Sequence, residues 1–310
     1  MTSAGSATSF LGAIDWSFPT AQATPDGTVS GLGRSVLVDA RAGAVHTELA
    51  VGRLDPGGWL GRHVHSFEEA LYVLGGQLVL EIDGHAWRLG PGDYAVMPIG
   101  VWHLLANLGS EAVRWVSVNT PQRRLVSDPR RDTFFRAGPP DLARLADTPL
   151  PTFGVPTVRG VGHYEGTPPQ AEALRLEGPA RGRAPAGMDT AILAYSGISV
   201  RMLVDRGLGA DHLTMFTVDY EVGGAAQSHD HPFEETYLIL AGEVEAEFGG
   251  TTQRLRAGDV AFAGVGVSHA FYNDGPERVR WIETQAPQPP SRHAYRWDQA
   301  WARFDPTTAP

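Results

Sequence analysis

Eight residues of this chain have the types and spacing that hold a metal ion. His63 and His65 stand two apart, Glu69 follows four residues later, and His103 comes further on. The set recurs as His229, His231, Glu235 and His269, each member 166 residues beyond its counterpart. Side chains two apart on a strand leave the same face, so each His pair can converge on one point. The carboxylate closes the set from the same hairpin, and the third imidazole arrives from a later strand. Neutral imidazoles with a carboxylate suit divalent Fe, Mn, Co, Ni, Cu or Zn. Four protein ligands around an octahedral ion leave two positions for other ligands, as a catalytic metal requires.

The elements that must position these residues are repeated too. The same displacement carries Gly76 onto Gly242, Gly92 onto Gly258, His46 onto His212 and Asn107 onto Asn273. It also carries Arg88 onto Arg254 and Arg114-Trp115 onto Arg280-Trp281, with no insertion. One domain has been duplicated. Within a copy the pattern is β. ALYVLGGQLVLEIDGHAWRL alternates about Gly75-Gly76 and Asp83-Gly84, and an Asp-Gly between alternating segments is a hairpin signal. Gly249-Gly250 takes that place in the second copy. Short strands with regular turns predict an all-β sandwich or barrel.

The expected organisation is an N-terminal arm and first barrel over residues 1–125, a Pro/Gly/Arg-rich linker over 126–190, and a second barrel with a C-terminal helix over 191–310. The Ser, Thr, Ala and Gly of residues 1–33 suit an arm that packs on the other domain or is partly disordered. PDLARLADT (140–148) is expected as a short helix, and other parts of the linker as a cover over a barrel mouth. RWDQAWARF (296–304) reads as a terminal helix with Asp298 as N-cap.

Composition removes several classes of chemistry. Cysteine is absent, which excludes disulfides, thiolate ligands and a Cys nucleophile. All 25 basic residues are arginine, so a lysine Schiff base is excluded as well. Net charge is −10, and the densest basic stretch, RRLVSDPRR at 123–131, is broken by Asp128 and Pro129; nucleic acid is not an expected partner. No apolar run is long enough for a bilayer, and MTSAGSATSFLGAIDW lacks a basic and then apolar leader. The expectation is a cytoplasmic protein with a small-molecule substrate and no membrane partner, working as a homodimer.

On these residues each half resembles a cupin. The first cupin motif is matched by Gly57, His63, His65, Glu69 and Gly76, and again by Gly223, His229, His231, Glu235 and Gly242. The second is matched by Gly92, Pro98, Gly100, His103 and Asn107, and by Gly258, Gly266, His269 and Asn273, where Gly264 replaces the proline. That departure alters a turn and leaves the ligands. The resemblance implies two tandem jelly-roll β-barrels with a few short helices, a bicupin, and a metal held by His63, His65, Glu69 and His103 and by His229, His231, Glu235 and His269. Cupins with all four ligands include dioxygenases, decarboxylases, isomerases, hydrolases and lyases.

The leading expectation is a dioxygenase using Fe(II) on a phenol, enol or diketone, with Mn(II), Ni(II), Cu(II) and Zn(II) as alternatives. A non-redox enzyme similar to manganese ureidoglycine aminohydrolases, or to a decarboxylase, is the second reading, and a non-catalytic small-ligand binder the third. Glu68 and Glu234 should face away from the metal, solvated or at an interface. His46 and His212 read as structural, Trp115 and Trp281 as core. Phe67, Tyr72, Trp102, Phe233, Tyr237 and Phe271 are either core or pocket lining. Arg114 and Arg280 either hold a substrate carboxylate or make ordinary ion pairs.

Overall fold

The run EEALYVLG reads as nearly continuous apolar sequence because both of its faces become buried. Ala70 and Tyr72 join a core that the two halves of the chain share. Leu71 and Val73 point the other way, into the lumen of the first barrel. Strand alternation is therefore intact and is masked only by burial on both sides. The computed structural model describes residues 8–124, 131–147, 160–164, 195–289 and 296–297.

In chain order the strands are Thr8–Ala13 (β1), Val29–Val38 (β2), Glu48–His65 (β3), Glu68–Gly75 (β4), Leu78–Ile82 (β5), His85–Leu89 (β6), Asp93–Met97 (β7), His103–Ala106 (β8), Val113–Thr120 (β9), Thr133–Phe135 (β10), Val161–His163 (β11), Tyr195–Val204 (β12), Thr214–Asp230 (β13), Glu234–Ala241 (β14), Glu243–Phe248 (β15), Thr251–Arg256 (β16), Asp259–Ala263 (β17), His269–Tyr272 (β18), Val279–Ala286 (β19) and Arg296–Trp297 (β20). They form two ten-stranded sheets of matching order, with the path β7-β4-β9-β3-β8-β5-β6 answered by β17-β14-β19-β13-β18-β15-β16. Both are jelly-roll barrels, as expected. The hairpin turns at Asp83-Gly84 and Gly249-Gly250 have positive φ at both central residues, the conformation that matches strand twist in a two-residue loop. Gly76 and Gly242 also have positive φ, and a Cβ at either would lie 2.6 Å from a backbone carbonyl oxygen. That is the physical reason for glycine at this position.

The two barrels exchange strands. The arm strand β1 pairs with β17 of the second barrel, and β11 pairs with β7 of the first. Arm packing on the other domain is thus observed for residues 8–13. Between the barrels lies a core that includes Val51, Tyr72, Val96, Val116 and Val118 on one side and Met215, Leu238, Val260, Phe262 and Ile282 on the other.

Glu68 and Glu234 join the barrels by a reciprocal device. Both are buried. Glu68 accepts the N–H groups of Asp211, His212 and Leu213 at 2.7, 3.1 and 3.1 Å. Glu234 accepts those of Val45, His46 and Thr47 at 2.5, 3.0 and 2.9 Å. Of the two sequence readings the interface one holds, and His46 and His212 serve through their backbones.

The helix expected near 140–148 is present as Leu142–Ala146 (α1), capped by the Asp141 side chain. The stretch 296–304 begins as a strand, because Arg296–Trp297 pairs with Asp230 and His229; its remainder lies outside the described residues. Most of the linker 126–190 does too. Among the described residues no helix is long and apolar enough to cross a membrane.

Replacing Glu68 by Ala leaves three N–H groups without their acceptor across the interface. The expected cost is about 2–4 kcal/mol of unfolding free energy, with a similar cost for Glu234→Ala, measured by urea denaturation.

Candidate metal centres

The HxH pair sits at the end of β3 in the first barrel and of β13 in the second. His103 and His269 open β8 and β18, which pair with those strands so that His63 faces His103 and His229 faces His269. The residues that hold this register are the motif residues without chemistry of their own. Asn107 Nδ2 donates to Leu54 O at 3.0 Å and to Glu111 O at 2.8 Å, tying the loop after β8 to β3. Asn273 makes the matching bonds to Tyr220 O and Glu277 O. The turn before the third histidine is the same in both barrels. Val101 N–H donates to Pro98 O and Val267 N–H to Gly264 O, so glycine in place of proline leaves the turn unchanged.

In each barrel three imidazoles converge. Ligand atoms of His63, His65 and His103 lie within 4.8 Å of one another, as do those of His229, His231 and His269, and all six residues are buried. Every one places Nδ1 against a main-chain carbonyl. The partners are Gly61 O at 2.9 Å for His63, Phe67 O at 2.5 Å for His65 and Val101 O at 2.9 Å for His103. In the second barrel they are Gln227 O at 2.7 Å, Phe233 O at 2.9 Å and Val267 O at 2.8 Å. A carbonyl can only accept, so Nδ1 carries the proton and Nε2 keeps its lone pair. The Nε2 atoms of His65 and His103 are buried with no hydrogen-bond partner, as suits ligands awaiting a cation. Each group therefore has the donor type, convergence and tautomer that could hold a metal.

Aromatic rings fix the imidazole planes. Phe67 stacks on His65 and Phe233 on His231, both at 3.9 Å between centroids, and Phe135 stacks on His63 at 5.2 Å. Phe135 belongs to β10, which lies against the ligand-bearing end of β3, so this part of the segment after the first barrel does cover its mouth. Among the other aromatics, Tyr72 belongs to the core between the barrels. Phe271 and Trp281 fill the second lumen and Trp115 the first. Trp102 is largely exposed. Arg280 pairs with Asp219 at 2.8 Å and Arg114 lies over Trp16, so neither points at a centre.

The carboxylates stand beside the imidazoles with different neighbours. Glu69 Oε2 is 3.5 Å from His65 Nε2. Glu235 Oε2 is 2.8 Å from His231 Nε2 and 3.2 Å from His269 Nε2. Glu235 also accepts Tyr237 Oη–H and, at 2.7 Å, Gln285 Nε2. The 166-residue shift shows the first barrel with Leu71 and Asn119 at those two positions, and with Ser117 where the second has Glu283. Burial pushes the Glu69 carboxyl up, but the adjoining His65 and His103 imidazoles and the Arg34 charge prevail and bring it to about 2. Burial is likewise overcome at Glu235, which His231 and His269 hold well below the usual carboxylate range. Glu283 goes the other way. Burial, then the Glu235 charge, push it well above that range, so it keeps its proton beside Glu235. Nothing in the sequence motifs marked Glu283. The repeat alignment carried the only available signal, a carboxylate facing a serine.

The comparisons agree with this geometry. A cupin-domain family model matches residues 50–119 and 216–284. The salicylate 1,2-dioxygenase from Pseudaminobacter salicylatoxidans superposes with a TM-score of 0.60 at 18% identity, over 82% of this chain and 76% of that one. The oxalate decarboxylase from Lactobacillus farciminis superposes with a TM-score of 0.57 at 17% identity, over 89% and 87%. The Streptomyces cyaneus protein called polyketide synthase CurC is 30% identical over 84 residues, 27% of this chain and 54% of that relative, so the match spans about half of it. Each half of the chain thus carries a cupin domain, the arrangement of a bicupin.

Burial lowers His63 to about 4. Its folded value lies below its unfolded one near 6.5, so its contribution is intact above pH 6.5 and is lost as pH falls towards 4. In metal-free protein, His63→Asn should flatten the rise of unfolding free energy across that window by on the order of 3 kcal/mol, measured by denaturation at several pH values.

Proposed function

We propose that this bicupin is a metal-dependent oxygenase, a dioxygenase acting on a small aromatic, enol or diketone substrate. The observation that carries the reading is the pair of His₃ groups, each locked with Nε2 inward and each beside an ionised carboxylate. In this reading His63, His65, Glu69 and His103 hold one ion, and His229, His231, Glu235 and His269 the other. A ferrous ion so held would supply binding and activation of dioxygen and of a chelating substrate.

The chain's own residues do the rest. The main-chain carbonyls and the stacked Phe67 and Phe233 hold the imidazoles to one orientation. Leu71, Leu80, Leu105 and Trp115 make the first lumen apolar, and Tyr237, Phe248, Phe271 and Trp281 make the second aromatic. Both exclude water from the centres and suit a flat organic substrate. The fold likeness to a salicylate dioxygenase and the local likeness to a protein named for polyketides support this substrate class, since polyketides are built of β-dicarbonyl units with enol and phenol forms. The proton on Glu283 favours a second reading for the C-terminal barrel, a decarboxylation or another step that needs a proton delivered beside the metal.

Elemental analysis of the freshly purified protein should give close to two metal ions per chain. The double variants His63→Ala/His65→Ala and His229→Ala/His231→Ala should each remove one. Iron-loaded protein should take up oxygen with some member of a panel of phenols and 1,3-diketones. The oxygenase reading is lost if it takes up none while manganese-loaded protein releases carbon dioxide or ammonia from a substrate.

A further inference from the structure

We propose that the first barrel's centre takes a substrate bearing a carboxylate, which the Arg123 guanidinium binds, and that the second barrel's centre does not. This rests on the reading of the first barrel as a metal centre and adds the charge class of what it accepts.

Arg123 follows β9 and lies over the ligand cluster. Its Cζ is 5.6 Å from the centroid of Phe67, the ring stacked on His65. The neighbouring arginines of this barrel are occupied. Arg34 pairs with Glu48, Arg53 with Asp55 at 3.3 Å, and Arg62 with Glu81. The Arg123 guanidinium makes no ion pair or hydrogen bond with any described residue, although it is only partly exposed.

The acids within reach are already committed. Glu48 accepts from Arg34 and, at 3.0 Å, from Asn119. Asp132 accepts from Arg124 N–H and Thr133 Oγ1–H. Glu69 belongs to the ligand set. Burial, then the like charge of Arg34, work against the Arg123 cation and outweigh the opposing charges of Glu48, Glu69 and Asp132. A guanidinium withdrawn from water beside another cation is costly unless an anion comes to it. Its planar fork matches a carboxylate bidentately, and its place above Phe67 puts that carboxylate beside the His63–His65–His103 cluster.

The second barrel lacks this unit. The 166-residue shift puts Val200 at the Arg34 position, Thr214 at the Glu48 position and Pro289 at the Arg123 position. Strand pairing confirms the first two, since Arg34 faces Gly52 as Val200 faces Val218, and Glu48 faces Asn119 as Thr214 faces Gln285. The second barrel thus lacks the cation that the first places beside its centre.

The test is calorimetric titration of full-length, manganese-loaded protein with benzoate, and with benzamide as its neutral isostere. One benzoate should bind per chain, more tightly than benzamide. Arg123→Gln should weaken benzoate by about tenfold or more and leave benzamide, metal content and melting temperature unchanged. Arg123→Lys, which keeps the charge without the fork, should fall between, and it carries the comparison if the glutamine variant does not fold. Arg114→Gln should behave as wild type. His229→Ala/His231→Ala should keep benzoate binding. The proposal is overturned if wild type binds no benzoate, if Arg123→Gln binds it within about twofold of wild type, or if the second-barrel variant abolishes binding. Metal content below one ion per chain would instead sink the metal reading, and the same benzoate comparison on metal-free protein then decides the anion site separately.

Discussion

Six hydrogen bonds from imidazole Nδ1 to main-chain carbonyls are the constraint on which this molecule depends. Each is local, reaching a carbonyl two residues away on the ligand's own strand or its flanking turn, so the nearby backbone sets it. Each fixes a tautomer and leaves a lone pair directed at its barrel's centre. Burial then holds His63, His103 and His229 neutral by lowering their proton affinity. The centres are built for an ion before one arrives.

Around that constraint the barrels match at their structural ties and differ along their lumen walls. The reciprocal glutamates and the asparagine ties obey the repeat. The lumen walls do not. Leu71, Ser117 and Asn119 in one barrel become Tyr237, Glu283 and Gln285 in the other, and the arginines at the first mouth have no counterparts. The two halves keep the same potential metal ligands and differ in the residues around them.

Much of this was legible in the residues. The ligand sets, the barrel class and the hairpin turns follow from strand period, His spacing and Asp-Gly chemistry, which act over a few residues. The repeat even located the structural pairs His46 and His212. What stayed hidden depends on contacts far apart in sequence. Glu68 beside Glu69 is an unremarkable acidic pair until the other barrel brings three N–H groups to it. Arg280 reads equally as a substrate clamp or an ion-pair partner until Asp219 is seen across the sheet. Arg123 reads as part of a broken basic run, and only the absence of a partner above Phe67 sets it apart. The 296–304 stretch has a helical pattern, yet its first two residues meet the free edge of β13 and pair with it.

The most direct test of the central claim is nitrogen-15 NMR of the histidine side chains in metal-free protein at neutral pH, using long-range proton correlations to read each tautomer. The account predicts that His63, His65, His103, His229 and His269 carry a proton on Nδ1, with His63, His103 and His229 neutral, and that His231, whose proton affinity Glu235 raises, also keeps Nδ1–H. Protons found on Nε2 with Nδ1 bare at any of the first five would contradict it, because those imidazoles would then be structural hydrogen-bond donors and not ligands held ready for a metal.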